Sequence, residues 1–191
     1  LRNASSPAAL AEADMDRVTG EFAEAAHVCR EAGFDAVEIH MGHGYLLNQF
    51  ISPLSNRRRD GYGGSAENRV RFPARVLSAV KEAVGKDLAV IAKINVADGV
   101  PGGATAADGA ITARALEAAG ADLLVLSAGR NVESVWFTFG SPMNVAEMSR
   151  LLRDSWIQRT AFKWAVRSVP RGLVFREMYL LEYSRQIRAA V

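Results

Sequence analysis

Three times along the chain a helix-period segment ends at a glycine and a short apolar run follows, and this rhythm limits the possible folds more than any other feature of the sequence. The first helical pattern starts at Asp14-Met15-Asp16, carries Val18, Phe22, Ala25, Ala26 and Cys29 on one face, and closes at Gly33. Phe34–His40 then reads as a strand. The second helix spans Glu67–Val84, with Val70, Val76, Leu77 and Val80 spaced along it; Gly85 ends it and the strand Leu88–Asn95 follows. The third is Ala106–Ala119, where the Thr105 hydroxyl and Asp108 three residues on have the spacing of a capping box. Gly120 stops that helix, and Ala121–Ser127 is the third strand.

Strands alternating with helices imply a parallel sheet covered by helices. Leu88–Asn95 is nearly continuously apolar up to Lys93, the pattern of a strand buried on both faces. An open doubly wound sheet and a barrel both satisfy the alternation. The strand ends favour the barrel. His40 and His43, Lys93 and Asn95, and Ser127 and Arg130 all fall where a strand finishes, and in an eight-stranded barrel those ends meet at one face. In an open sheet they would spread along an edge.

The connection from Met41 to about Ser65 reads as a long loop, rich in Gly, Asn, Arg and Pro, and loops of that length inside a compact domain usually carry function. After Gly129 the rhythm stops. A helix is predicted near Val145–Arg153, Trp156–Val169 has no strand signature, and Phe175–Ala190 reads as helical. No fourth strand follows, and three strands do not close a barrel. The chain opens Leu1-Arg2-Asn3 and ends inside a helical pattern, which reads as a piece of a larger barrel. Residues 1–129 are expected to form its partial barrel, and residues 130–191 a helical extension of the same domain.

Charge and composition remove several function classes. With 49% hydrophobic and 23% charged residues the profile is that of a soluble globular chain. The formal net charge of +2, from 23 basic and 21 acidic residues, gives no reason to invoke nucleic acid or an anionic membrane surface. No apolar run reaches the roughly 18 residues needed to span a bilayer. Cys29 is the single cysteine, so no intrachain disulfide forms and a reducing, cytoplasmic setting is the expectation. Its neighbours predict a buried structural thiol.

His40-Met41-Gly42-His43-Gly44-Tyr45 is the densest chemical cluster. Two neutral imidazoles facing a cleft can each donate a hydrogen bond to one carbonyl oxygen, and the Tyr45 phenol can deliver a proton in the same space. Gly42 and Gly44 allow unusual backbone angles and close approach of a ligand. Two alternatives stay open. Both histidines could be satisfied within a polar loop, or they could join Asp35 or Glu38 around zinc, as in a metal-dependent barrel hydrolase.

The stretch Gly33–Phe50, with Val37-Glu38-Ile39-His40-Met41-Gly42-His43-Gly44-Tyr45 at its centre, resembles the signature of the old yellow enzyme family of NADH:flavin oxidoreductases. So do Asn56-Arg57-Arg58-Arg59-Asp60-Gly61-Tyr62-Gly63-Gly64-Ser65 and Glu67-Asn68-Arg69-Val70-Arg71-Phe72, in the same order and spacing. The likeness runs from about Met15 to Gly129 and more weakly through Glu147. It implies an α/β fold, a partial (β/α)8 TIM barrel holding about strands 4 to 6, with FMN across the strand ends and NAD(P)H as co-substrate.

By the same resemblance, His40 and His43 bind the carbonyl oxygen of a small enone-type substrate and Tyr45 is the proton donor. Lys93 falls where the family places a basic residue, usually Arg, against the pyrimidine edge of the flavin. The implied reaction is reduction of the C=C bond of an α,β-unsaturated carbonyl compound by hydride from flavin N5, with protonation by Tyr45. No metal is implied. Asn56, Arg58, Asp60 and Tyr62 are expected to hold their loop together. The loops that cradle the FMN phosphate in the family, after its last two strands, are not recognised here. The chain is therefore expected to bind FMN weakly by itself and to expose strand edges through which it self-associates or meets a complementing chain. A non-catalytic barrel remnant is the second reading.

Overall fold

In the computed structural model of the chain, the described residues are 8–134 and 177–191, together with positions 137, 138, 156 and 160. The order of elements is α1 (Glu12–Glu31), β1 (Ala36–Met41), α2 (Leu46–Ile51), α3 (Ala66–Val84), β2 (Ala89–Asn95), α4 (Ala106–Ala118), β3 (Leu123–Ser127) and α5 (Leu181–Arg188). The three strands form one parallel sheet in the order β1-β2-β3. The predicted alternation is therefore present, with small shifts at its boundaries.

The helices start and stop where backbone chemistry dictates. α1 begins two residues before the predicted Asp14, because the Asp14 carboxylate accepts the Ala11 amide at 3.0 Å and ties down the preceding turn. Ser65 caps α3 by accepting the Asn68 amide. Thr105 and Asp108 form the expected reciprocal box, each side chain taking the other's backbone N–H at 3.4 and 2.8 Å. The predicted long loop after β1 is interrupted by α2. Its Leu47, Phe50 and Ile51 are buried, and the Phe50 ring lies 4.6 Å from that of Phe72 on α3. Apolar contact with α3, rather than helix propensity, makes this short turn helical.

Strand alternation divides the sheet into two faces. Ile39, Met41, Val90, Ala92 and Ile94 point to the helices and are buried with Met15, Phe72, Val76, Leu77, Val80 and Leu116. The other face carries Glu38 and His40, then Ile91, Lys93 and Asn95, then Leu123, Val125 and Ser127. Against the expectation for β2, only its helix-facing side is fully covered. Ile91 and Lys93 are half-buried because no described element packs over them, and Leu123 is 55% exposed. In cross-strand register the open face has layers: Glu38 with Ile91 and Leu123, His40 with Lys93 and Val125, and Asn95 with Ser127.

The tail helix α5 packs against α4, and Ile187 joins the main core. It spans Leu181–Arg188, shorter than the predicted Phe175–Ala190, and Phe137 meets Tyr179 and Tyr183 edge-on at 6.0 Å. The predicted helix over 145–153 and the stretch 157–169 apart from position 160 lie outside the described residues. Cys29 is half-buried against the core, not fully enclosed. No described helix is long and apolar enough to cross a membrane.

Candidate active site

β1 delivers His40 to the open face, and the chain then turns sharply. His43 has φ 59° and Gly44 φ 86°, so two successive residues occupy the left-handed region. That turn is costly for a residue with a Cβ such as His43 and needs fixed partners. Asn95, at the end of β2, supplies them: its Oδ1 accepts the His43 amide at 3.1 Å, while its Nδ2 donates to the Gly129 carbonyl at 2.6 Å and to Asp98 Oδ1 at 3.3 Å. Gly42 is required for this approach, since a Cβ there would lie 2.8 Å from Asn95 Oδ1. The His43 carbonyl in turn accepts the Asn131 amide at 3.1 Å, so the loops after β1 and β3 meet above the end of β2.

A second layer of side chains holds these loops. Asp98 is fully buried and its Oδ2 accepts from the Ser52 hydroxyl at 2.6 Å and the Ala104 amide at 2.8 Å, linking α2 to the start of α4. Asn48 accepts the Gly44 amide at 2.8 Å through Oδ1. Arg130 is buried, paired with Glu133 at 3.0 Å, and reaches towards Ser55 at 3.4 Å. The Arg58 loop behaves as its sequence implies. The guanidinium grips Asp60, donates to the Leu10 carbonyl at 2.8 Å and lies over the Phe50 ring, while Asn56 Nδ2 donates to the carbonyls of Phe50 and Tyr62, each at 2.7 Å.

Three of the four predicted site residues form one ring cluster. The His40 centroid is 5.0 Å from that of His43 and 5.0 Å from that of Tyr45. Tyr45 stands at the start of α2, 53% exposed on the open side. The fourth, Lys93, is the register partner of His40, and its ammonium lies 3.8 Å from Glu38 Oε1. Burial holds both imidazoles below their ordinary pKa. The Lys93 charge adds to this at His40, with Glu38 partly opposing it, while His40 and then Lys93 add to it at His43. Both shifts favour the neutral ring, which has one N–H to donate. A zinc reading requires a third ligand, and among the described residues no group of three His, Cys, Asp or Glu side chains is placed to hold a metal.

Two residues that matter to this geometry received no role from the sequence: Asn95 and Ser127. Both stood among the polar strand ends, and that position was the available signal. Ser127 Oγ lies 2.7 Å from His43 Nε2. Asp98 and Asn48 gave no such signal, because each acts through a loop fold the sequence does not announce.

A parallel strand–helix sheet with a polar cluster at its carboxyl ends has the arrangement of one sector of a β/α barrel. The chain belongs to the NADH:flavin oxidoreductase / NADH oxidase family, whose model matches residues 2–146. It is 36% identical over 180 residues to a 4,4'-dithiodibutanoate disulfide reductase of Rhodococcus erythropolis, covering 94% of this chain and 44% of that protein. It is 43% identical over 123 residues to an NADPH dehydrogenase of Geobacillus sp. (strain WCH70), covering 64% of this chain and 36% of that protein.

Among solved structures, a 2-naphthoyl-CoA reductase in complex with 2-naphthoyl-CoA matches 85% of this chain and 23% of its own with a TM-score of 0.64 at 27% identity. A morphinone reductase in complex with tetrahydroNAD matches 64% of this chain and 34% of its own, with a TM-score of 0.57 at 34% identity. The chain thus spans less than half of the relatives it matches, and its three strands are part of a β/α barrel.

Proposed function

We propose that the cluster of His40, His43 and Tyr45 is the carbonyl site of an FMN-dependent reductase acting on the C=C bond of α,β-unsaturated carbonyl compounds. One observation carries the reading: the His43 and Tyr45 rings each lie 5.0 Å from the His40 ring, on the side of the sheet where Lys93 supplies a cation. The residues present fit one edge of a flavin. Lys93 is a half-buried cation in the same layer as His40, suited to the electron-rich pyrimidine edge of the ring, though as a point charge rather than a planar fork.

The chemistry supplied by a bound FMN is hydride exchange, from NAD(P)H to the β-carbon of the substrate. The chain's own residues prepare the rest. His40 and His43 each offer an N–H to the carbonyl oxygen, where negative charge grows as the β-carbon is reduced. Their neutral state matters in two ways: it leaves a proton to share, and it spares the site the cost of a second and third buried cation beside Lys93. Tyr45 Oη is the group with a proton to give to the α-carbon; its half-exposed ring, 5.0 Å from that of His40, supports this role.

The reading is tested in a polypeptide carrying the whole barrel. Replacing His40 and His43 by Ala raises KM for enones and lowers kcat by about 10²-fold, on the scale of removing an oxyanion donor. Kinetics equal to wild type overturn the assignment. The open inner face, where Leu123 is 55% exposed, supports a second reading of the chain itself, as a module completed by further barrel segments on the same or another chain. In that case the 191-residue chain self-associates on its own, and light scattering of a concentration series reads it.

A further inference from the structure

We propose that Ser127 is a positioning residue that fixes which nitrogen of His43 carries the proton, leaving His43 as an Nδ1–H donor. The proposal rests on the carbonyl-site reading for its purpose, although its geometry does not depend on it. Ser127 closes β3, in register with Asn95, and its hydroxyl lies across the end of β2 from His43, 2.7 Å from Nε2. The backbone of His43 is held independently by Asn95 and Asn131, so the ring meets Ser127 from a fixed point.

A neutral imidazole has one proton and two nitrogens, and a serine hydroxyl has one proton. Only two arrangements fit the 2.7 Å contact. In the first, Ser127 donates to Nε2, and the ring proton sits on Nδ1, which has no partner among the described residues. In the second, Nε2–H donates to Ser127. The serine proton then has no acceptor among the described residues, and Nδ1 presents a bare lone pair. A lone pair repels a carbonyl oxygen. Each arrangement leaves one proton free: the first leaves it on Nδ1, where His43 can serve a developing oxyanion, and the second leaves it on Ser127 and makes His43 an obstacle. Second partners commonly select an imidazole tautomer in this way.

The tautomer is read by two-bond ¹H–¹⁵N correlation of the histidine ring nitrogens, at a pH above their titration and without substrate. Wild type is expected to show His43 as the Nδ1–H form. Ser127→Ala moves it to the Nε2–H form that solvated imidazole prefers, and Ser127→Thr, which keeps the hydroxyl, restores the wild-type pattern. Kinetically, Ser127→Ala lowers kcat/KM for an enone about tenfold, with recovery in the Thr variant. An Nε2–H pattern in wild type overturns the proposal, and so does a pattern unchanged in Ser127→Ala. Failure of the carbonyl-site reading shows separately, as unchanged enone kinetics in the His40 and His43 variants.

Discussion

Asn95 and His43 are 52 positions apart, yet the carboxamide of the first holds the backbone of the second at 3.1 Å in a left-handed turn. The same carboxamide bonds Gly129 and the buried Asp98, so one side chain, 4% exposed, joins three loops. Asn95→Ala leaves the Gly129 carbonyl and one Asp98 oxygen short of a donor in a buried setting. The cost by denaturant unfolding is expected to be about 2–3 kcal/mol. A loss below about 0.5 kcal/mol means the network is solvated rather than buried.

Arg69 predicts a comparable effect away from the chemistry. Its guanidinium is nearly buried; it donates to the Ile51 carbonyl at 2.7 Å and pairs with Asp108 at 2.5 Å, tying α2 and α3 to the start of α4. Arg69→Ala leaves Asp108 Oδ1 and the Ile51 carbonyl without their donor, at a cost of about 2–3 kcal/mol. Arg69→Met is expected to recover part of the packing and none of the pairing. Equal losses in the two variants identify the charge, rather than the stem, as what matters.

The histidine pair gives a pH prediction with a definite sign. Burial depresses the folded-state pKa of His40 and His43 below 6.5, so the unfolded chain binds more protons in that range. The stability contributed by the neutral rings is fully present above the unfolded value and is lost as pH falls through the folded values. Ring titrations by NMR should therefore have midpoints below 6.5. Lys93→Met removes a cation that disfavours imidazolium and should raise both midpoints. A downward movement contradicts the assigned electrostatics.

Flavin affinity follows from what the chain holds. On the proposed reading Lys93 serves the pyrimidine edge, whereas the family's phosphate-binding loops are not recognised in the sequence after Ser127. Fluorescence titration of the 191-residue chain alone is expected to show weak FMN binding or none. Tight, stoichiometric binding contradicts this.

The fold was legible because glycine stops, capping residues and apolar runs are local signals. Thr105 with Asp108 acts where the spacing placed it. The short helix α2 was not legible, since contact between Phe50 and Phe72, 22 residues apart, decides it. Half-burial of Ile91 escaped notice for a related reason: an apolar run does not say which of its faces finds a partner. At the site, the His40, His43 and Tyr45 cluster sits within six residues and could be read directly. The roles of Asn95, Asp98 and Ser127 arise from contacts with His43, Ser52 and His43, at separations of 52, 46 and 84 positions, which only the folded chain brings together.

The central claim, that this cluster reduces a carbonyl-activated alkene, is tested most directly by separating the two half-reactions in a polypeptide carrying the whole barrel. Stopped-flow absorbance follows flavin reduction by NAD(P)H and then reoxidation by an enone, for wild type and for Tyr45→Phe. The account predicts an unchanged reductive rate and a reoxidation rate lowered by about 10²-fold or more, as loss of a positioned proton donor requires. Reoxidation at the wild-type rate, or equal slowing of both halves, would contradict it.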